Sequence, residues 1–230
     1  MNRLASAIFP EDSPLLNIFD CQDTIMNVDE LDIVEYKALV LWGGEDISPG
    51  IYDQLPATMY TDAPYRPSQR DHLEMALAKR AIEKGMPIIG ICRGAQLMCA
   101  VSGGTLIQHV DGHGLWGSHD METNDGQMLL TNSVHHQMMN PFEVDHELLA
   151  WTPKNLSTRY IGNDNEPVVL PEDWKEPEVV YFPKTKALCI QGHPEYSSAR
   201  KEFQDYVKDI VTKYILNPKT DANHSPSGKQ

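Results

Sequence analysis

One segment, residues 68–102, constrains the fold of this chain more than any other. Ser68 precedes a run with apolar residues at helical spacing, and the run closes at Gly85, a residue type preferred just past a helix end. "MPIIGIC" (86–92) follows directly and is typical of a buried strand, and a second helical run covers about 94–102. A helix, a strand and a helix joined this closely predict a parallel sheet covered on both faces.

Three more apolar runs are predicted strands: "YKALVLW" (36–42), "PEVVYF" (177–182) and "KALCIQ" (186–191). A terminal amphipathic helix is predicted over 202–216, with these residues facing inward: Phe203, Tyr206, Val207, Ile210, Val211 and Tyr214. Residues 105–185 are rich in turn formers, which favours loops and hairpins at the carboxyl edge of the sheet. We therefore predict a three-layer α/β sandwich with a mostly parallel central sheet. It forms a single domain over 1–216, followed by a polar, disordered tail over 217–230.

The composition argues against two classes of partner. The chain has 230 residues and a formal charge of −14, and no stretch of about 18 apolar residues is present to span a bilayer. An acidic chain without a long cluster of lysine or arginine is a poor ligand for nucleic acid or for an anionic membrane. The N-terminus, "MNRLASAIFPEDSP", lacks the apolar core of a signal peptide, so we expect a cytoplasmic protein.

The four cysteines, Cys21, Cys92, Cys99 and Cys189, are widely spaced and form no C-x-x-C pair, which indicates reduced thiols. Cys92 differs from the other three, which we interpret as structural. In "GICRGAQ" (90–96) it stands between two glycines at a predicted strand-to-helix turn. That pattern is typical of a nucleophile elbow, where the helix N-terminus favours a thiolate. The alternative is an ordinary buried cysteine beside a glycine-rich turn.

Three other stretches supply what a reactive thiol needs. "LWGGEDISP" (41–49) places two glycines after a strand, where backbone N–H groups can approach an oxyanion. "QGHPEY" (191–196) places a histidine and a carboxylate after another strand, which suits a general base and the group that orients it. "TNSVHHQMM" (131–139) is a polar loop expected to overhang the same edge. Taken singly, each stretch is also compatible with an ordinary turn.

In this order and spacing the motifs resemble the class I glutamine amidotransferase-like superfamily, and most closely its γ-glutamyl hydrolase branch, the γ-glutamyl-γ-aminobutyrate hydrolase-like peptidases. The resemblance runs from about residue 36 to 200 and implies a flavodoxin-like fold. The matching positions are Gly43, Gly44, Asp46 and Pro49 (Gly-Gly-x-Asp-x-x-Pro), Arg70, Asp71 and Glu74 (Arg-Asp-x-x-Glu), residues 90–96 (Gly-x-Cys-Arg-Gly-x-Gln), "NSVHHQ" (132–137) and "GHPE" (192–195).

The resemblance implies a catalytic triad and an oxyanion hole. Cys92 would be the nucleophile, His193 its general base and later acid, and Glu195 the residue that orients His193. The backbone N–H groups of Gly44 and Arg93 would bind the oxyanion. The resemblance implies no cofactor for this chemistry.

The resemblance also implies a substrate site. Gln96 and the backbone of Ser133, Val134 and His135 would hold a glutamyl head group. Arg70, Asp71 and Glu74 would bind the substrate amine, and the alternative is that they form a solvated helical face. Gly192 stands where relatives carry a bulky aromatic, a change expected to widen the pocket or loosen His193. The N-terminal part is short, so we expect a reduced first strand or linking helix.

Six of the nine histidines lie between residues 109 and 146: His109, His113, His119, His135, His136 and His146. With neighbouring carboxylates they offer ligands for zinc, but their spacing fits no familiar metal signature. We therefore predict no metal and expect these histidines to line or cap a polar cleft, while metal binding by this segment stays open.

These observations lead to a cysteine-dependent hydrolase of γ-glutamyl amides, acting through a γ-glutamyl thioester on a small-molecule substrate. The alternative is a glutaminase subunit that delivers ammonia to a separate synthetase partner. A third interpretation, a binding protein without turnover, is disfavoured because every triad position is filled. Homodimer formation is left open.

Overall fold

The strands predicted around the elbow form the middle of a nine-stranded sheet. The computed structural model describes residues 2–7, 18–19, 21–114 and 117–218. The strands are β1 (Arg3–Ser6), β2 (Cys21–Thr24), β3 (Ala38–Leu41), β4 (Ile88–Ile91), β5 (Thr105–Ile107), β6 (His109–Val110), β7 (Gly117–Thr123), β8 (Met128–Ser133), β9 (Met138–Asn140), β10 (Glu147–Trp151), β11 (Tyr160–Ile161), β12 (Pro177–Phe182) and β13 (Ala187–Ile190). The helices are α1 (Glu30–Ile33), α2 (Gln69–Glu83), α3 (Arg93–Val101) and α4 (Lys201–Val211), which runs into a π-helical turn at Thr212–Leu216.

The strand order in the large sheet is β2-β1-β3-β4-β13-β12-β10-β7-β8. The first five strands are mutually parallel, and the four that follow pair antiparallel. Part of the 105–185 region was expected only as hairpins at the carboxyl edge, but β7, β8 and β10 extend the sheet itself. β10 pairs with the free side of β12, which would otherwise leave a row of unpaired backbone groups at a sheet edge, and β7 and β8 follow outward.

Alternation along the central strands creates two apolar layers. Leu39 and Leu41 of β3 pack in the cluster that contains α2 and α3, whereas Ala38 and Val40 pack in the cluster that contains α4. Successive side chains of a strand point to opposite faces, so a strand that is apolar throughout needs cover on both. The predicted three-layer α/β sandwich is therefore confirmed.

The predicted helix ends are confirmed in detail. The backbone N–H of Asp71 donates to Ser68 Oγ at 3.0 Å, and the Asp71 carboxylate accepts from the Ser68 N–H at 2.9 Å. This reciprocal capping box fixes the start of α2. Gly85 follows the helix with φ +66°, a conformation that favours glycine. In α4 and the turn after it, five of the six residues predicted to face inward are buried and Tyr214 is half-buried.

The chain ends are described in part. β1 pairs in parallel with both β2 and β3, so "NRLASAIF" supplies a sheet strand of four residues. Of the predicted tail over 217–230, residues 219–230 lie outside the described residues, and the predicted disorder stays a prediction. Among the helices in the described ranges, none has the length and apolar character needed to cross a bilayer.

Candidate active site

Cys92 occupies a strained position between β4 and α3. Its backbone has φ 49° and ψ −107°, a conformation that costs a non-glycine residue about 1–3 kcal/mol. The Cys92 N–H donates to the carbonyl of Ile190 at 2.7 Å, and the Cys92 carbonyl accepts from Gln96 at 3.0 Å. A Cβ on Gly90 would lie 2.6 Å from the Gly94 carbonyl oxygen, so the bend needs glycine there. The predicted elbow geometry is present at the carboxyl edge of the sheet.

His193 is fixed beside this elbow from three sides. Its N–H donates to Asn132 Oδ1 at 2.7 Å, and its carbonyl accepts from Asn132 Nδ2 at 2.8 Å. Its ring stacks on Tyr196 with centroids 4.3 Å apart, and Nδ1 lies 2.6 Å from Glu195 Oε1. A Cβ on Gly43 would lie 2.6 Å from His193 Cε1 and 3.5 Å from Cys92 Cβ. The cysteine and the histidine therefore meet against the same glycine.

The electrostatics of this group favour a charged imidazole. Burial lowers the pKa of His193, but hydrogen bonds with Cys92 and Glu195 outweigh that effect and raise the pKa to about 10. The ring therefore holds its second proton at neutral pH. Because Nδ1 bonds to Glu195, the other ring nitrogen is the one available to the Cys92 thiol. The arrangement can stabilise a thiolate beside an imidazolium.

Arg70 holds the glycine pair that borders this site. Its Nη2 donates to the carbonyls of Trp42 and Gly43 at 3.0 and 2.9 Å. In a trans peptide the carbonyl and the following N–H point in opposite directions, so the Gly44 N–H points away from Arg70. Gly44 itself has φ +148° and its α-carbon lies against the Arg70 guanidinium, which excludes a side chain. The second glycine of the Gly-Gly motif is therefore needed because Arg70 packs against its backbone and leaves no room for a side chain.

Four charged side chains, which we call the arginine cluster, lie under the elbow: Arg70, Asp71, Glu74 and Arg93. Arg93 and both carboxylates are buried, and Arg70 is half-buried. Arg93 donates to both carboxylates, and Arg70 Nε donates to Glu74 at 3.0 Å. Asp71 also accepts from Ser48 Oγ at 2.9 Å. Asp71 and Glu74 are each 1% exposed, so the interpretation as a solvated face is wrong for them. Asp71 was expected on the substrate, but its carboxylate is enclosed among protein donors because it neutralises Arg93.

Gln96 and the loop after β8 meet as expected, but through buried contacts. Gln96 Nε2 donates to the Gln137 carbonyl at 2.9 Å, and His135 Nδ1 lies 2.9 Å from the same oxygen. Ser133 Oγ donates to the His113 carbonyl at 2.9 Å, which occupies its hydroxyl proton. Ser133 and His135 are buried and Val134 is half-buried. The loop is therefore held from below, with Val134 at its most open point.

Gly192 does not enlarge the site as expected. A Cβ at this position would collide with Thr131 Oγ1 and would lie 3.0 Å from Phe203 Cζ. The space that a side chain would need is filled by α4 and β8. His193 is not loosened either, since Asn132 bonds both of its backbone groups.

Sequence reasoning missed three residues that shape the site. Asn132 clamps His193, and Tyr196 stacks on its ring. Asp46 accepts from His136 Nε2 at 2.9 Å and thereby joins the glycine-pair loop to the loop after β8. That hydrogen bond to Asp46 raises the pKa of His136. Asn132, Asp46 and His136 all lie within the quoted motifs. The motifs therefore identified these residues but did not show which side chains they contact.

A cavity of about 920 Å³ lies at the opposite edge of the sheet. Its lining includes Tyr36, Lys84, Lys186 and Tyr214, near the amino ends of β4 and β13. It is remote from the elbow and has neither cysteine nor histidine in its lining. The paired cysteine and histidine therefore place the candidate chemistry at Cys92 and not in this cavity.

The sequence profile of the peptidase C26 family matches residues 18–170. The chain belongs to the peptidase C26 family. Its fold and ordered motifs are those of the class I glutamine amidotransferase-like superfamily, which confirms the resemblance seen in the sequence. Membership of this family and the relatives' names support an enzyme of the cysteine hydrolase or amidotransferase type.

Relatives of this peptidase C26 protein carry related names. A glutamine amidotransferase-like protein of Lactococcus lactis, YvdE, is 29% identical over 185 residues, which are 75% of this chain and 71% of the relative. A glutamine amidotransferase-like protein of Rickettsia prowazekii is 43% identical over 89 residues, or 38% of this chain. This alignment covers 29% of the Rickettsia relative. A second alignment, to a Mycobacterium tuberculosis relative named as a glutamine amidotransferase, covers 23% of that relative.

Solved structures agree on the fold. A glutamine amidotransferase from Thermotoga maritima superimposes with a TM-score of 0.56 at 18% identity, covering 91% of this chain and 84% of that chain. PurLQS from the same organism gives a TM-score of 0.58 at 18% identity over 94% of this chain and 98% of that chain. At 18% identity, these structural similarities support the fold alone.

Proposed function

We propose that this protein hydrolyses γ-glutamyl amide bonds through a γ-glutamyl thioester on Cys92. The observation that carries the proposal is the strained Cys92 at the start of α3, in contact with a His193 ring whose other nitrogen lies 2.6 Å from Glu195. A nucleophile, a base and an orienting carboxylate in this relation are the parts that acyl transfer needs.

The reaction begins with the Cys92 thiolate, whose proton rests on His193. The sulfur attacks the γ-carbonyl carbon, and the carbonyl electron pair moves onto oxygen to give a tetrahedral oxyanion. The N–H groups of Gly44 and Arg93 stabilise that oxyanion. Arg70 contributes indirectly, because it orients the Gly43–Gly44 peptide.

Collapse of the oxyanion breaks the carbon–nitrogen bond. The imidazolium of His193 gives its proton to the leaving amine, and a γ-glutamyl thioester with Cys92 forms. A water molecule then loses a proton to His193 and attacks the thioester, which releases a γ-carboxylate and restores the sulfur. Gln96 and the loop at Ser133, Val134 and His135 border the position of the glutamyl group.

A direct test is incubation with glutamine and with a panel of γ-glutamyl amines, with α-glutamyl amides as the matched control. We expect amine release from the γ-linked substrates and an acylated protein whose mass rises by one γ-glutamyl group. Cys92→Ala should lose both signals while its circular dichroism spectrum matches that of the parent. Turnover that survives in Cys92→Ala would contradict the assigned nucleophile.

The general base has its own test. Alkylation of Cys92 near pH 7 should be faster in the parent than in His193→Ala, because the His193 imidazolium favours a negative charge on the sulfur. In His193→Ala the rate should be low near pH 7 and should rise toward the ordinary thiol range near pH 8.5. Superimposable pH profiles of the two proteins would remove His193 from this role.

A second function, ammonia supply to a synthetase, is favoured by one relative. The carbamoyl phosphate synthase small chain of Polynucleobacter necessarius is 31% identical over 140 residues, which are 60% of this chain and 30% of that relative. In that case glutamine would be the preferred substrate, and slow ammonia release would accelerate when a synthetase partner is added. Fast cleavage of γ-glutamyl amines by the isolated protein would instead support the hydrolase.

A further inference from the structure

A second buried group of ionisable side chains lies on the antiparallel side of the site. Its members, which we call the histidine cluster, are His113, His119, His135, Glu176 and Glu178. His113, His135, Glu176 and Glu178 are each at most 5% exposed. The side chains of the histidine cluster have no role in the proposed hydrolysis, so their burial needs another explanation.

Hydrogen bonding fixes which nitrogen of His135 carries the proton. Nδ1 lies 2.9 Å from the Gln137 carbonyl oxygen, which can only accept, so Nδ1 is the N–H donor. Nε2 of the neutral ring is then a bare lone pair. It is buried and has no hydrogen-bond partner among the described residues.

His113 is oriented in the same way by Glu176. Its Nε2 lies 3.0 Å from Glu176 Oε2, and this carboxylate also accepts from Thr152, Leu156, Ser157 and Tyr160. A carboxylate that accepts this many hydrogen bonds is held in its ionised form. Nε2 of His113 therefore donates, and Nδ1 presents a lone pair. Ser133 Oγ, 3.4 Å from Nδ1, gives its proton to the His113 carbonyl instead.

Both lone pairs face a carboxylate. One ligand atom from each of His113, His135 and Glu178 lies within 4.8 Å of the others. His113 Nδ1 is 3.7 Å and His119 Nε2 is 3.3 Å from Glu178 Oε1. That oxygen is buried without a formed hydrogen bond among the described residues. Three acceptor atoms thus converge where a donor or a cation is required.

A proton on His119 satisfies this group only in part. His119 Nε2 lies 3.3 Å from Glu178 Oε1, so a proton on this nitrogen would face the carboxylate. A protonated His119 supplies one positive charge to Glu178. It does not reach the lone pairs of both His113 and His135, which would stay buried and unpaired at a cost of about 1–3 kcal/mol each.

We propose that His113, His135 and Glu178, with His119 in the fourth position, bind a zinc ion. Imidazole nitrogens with one carboxylate suit zinc, whereas magnesium and calcium prefer oxygen ligands. Zinc–nitrogen bonds of about 2.0–2.1 Å place tetrahedral ligands about 3.4 Å apart, so the side chains close by roughly 1 Å around the ion. Glu176 and the Gln137 carbonyl orient the two histidines from behind, as outer partners of zinc ligands do.

Such an ion would join four parts of the chain, one of which is the segment with His113 between β6 and β7. His119 lies in β7, Glu178 in β12, and His135 directly after β8 in the loop that borders the substrate site. The metal would therefore fix this loop against the sheet. Because four protein ligands surround it, its role would be structural rather than catalytic.

Metal content and thermal unfolding of the whole protein test the proposal. Protein equilibrated with Zn²⁺ and then freed of loosely bound metal should retain one zinc per chain by mass spectrometry, with a higher Tm than chelator-treated protein. Co²⁺ in its place should give the visible absorption of a tetrahedral site. Glu178→Gln and His135→Gln should each weaken Zn²⁺ affinity about 100-fold or more and remove the Tm gain.

Matched controls separate this site from others. His72→Gln and Glu35→Gln change exposed side chains of the same types and should retain one zinc. Cys92→Ala removes the other thiol–imidazole pair that could bind zinc and should also retain it. If Glu178→Gln does not fold, His119→Gln, at a more exposed position of the cluster, takes its place.

Two results would overturn the proposal. The first is a parent protein that retains no zinc and whose Tm does not rise with Zn²⁺. The second is zinc that is lost in Cys92→Ala and kept in Glu178→Gln. Failure of the hydrolase assays would leave both metal readouts unaffected, so the two proposals can fail separately.

Discussion

The arginine cluster and the histidine cluster are both largely buried, and they differ in how their charges are matched. Two guanidinium groups face two carboxylates in the arginine cluster, and the ionic groups bond directly to each other. In the histidine cluster the imidazole lone pairs and Glu178 face one another as acceptors. A network in which every charge is paired can hold a backbone in position by itself. A network in which acceptor atoms face one another needs a bound cation or a proton to be stable.

Arg93→Met gives the largest expected effect, because it leaves Asp71 and Glu74 buried without their main partner. We expect a loss of about 3–5 kcal/mol in the free energy of unfolding, measured by urea denaturation. Arg80→Met is the control, since Arg80 pairs with Asp32 at the surface and its loss should cost less than about 1 kcal/mol. Equal losses for the two variants would show that the arginine cluster is not a closed, buried network.

His119→Gln examines the histidine cluster without metal. The folded-state pKa of about 9 exceeds the unfolded value of about 6.5, so the stabilisation is complete below pH 6.5 and is lost as the pH rises through 9. In chelator-treated protein the variant should be about 2–3 kcal/mol less stable than the parent at pH 6, and the gap should narrow by pH 9.5.

Zinc should reverse this trend in the parent. The ion binds neutral imidazole, so the free energy of unfolding of the zinc-loaded protein should increase as the pH rises from about 5 to 7. A gap between chelator-treated parent and variant that does not change with pH would argue against a protonated His119. The same urea titrations at each pH provide both comparisons.

Arg70→Lys connects the arginine cluster to the chemistry. A lysine cannot hold the carbonyls of Trp42 and Gly43 together while also pairing with Glu74. We expect kcat to fall about 10- to 100-fold with KM nearly unchanged, because the oxyanion exists only after attack. Arg80→Lys should leave both constants unchanged. A rise in KM alone would instead indicate a contact between Arg70 and the substrate.

Ser48→Ala gives the smallest expected effect. It removes one donor to Asp71, which still accepts from Ser68 and Arg93, so the loss should be about 1 kcal/mol in the free energy of unfolding. Ser198→Ala, at an exposed position, is the control. A loss above 3 kcal/mol would mean that the arginine cluster depends on its neutral donors as much as on its charges.

Local patterns were sufficient for the elements that carry the site. The strand before Cys92, the glycines around it, the Ser68 cap and the inward face of α4 all follow from spacing and residue type, because each depends on neighbours within a few turns of chain. The mixed character of the sheet was missed, since pairing of β7, β8 and β10 beyond β12 depends on partners distant in sequence. The same distance hid the clamp between Asn132 and His193.

The sequence by itself determined the order of the motifs, the elbow and the family, because these are properties of residue type and spacing. Only the tertiary structure decided that Asp71 neutralises Arg93 instead of facing solvent. It also decided that Thr131 and Phe203 leave no room for a side chain at Gly192, and that His113, His135 and Glu178 converge. The reason is physical. Burial and pairing of a charge depend on groups brought together by folding from far apart in the chain, and the free energy of an ionised side chain depends on those groups more than on its own identity.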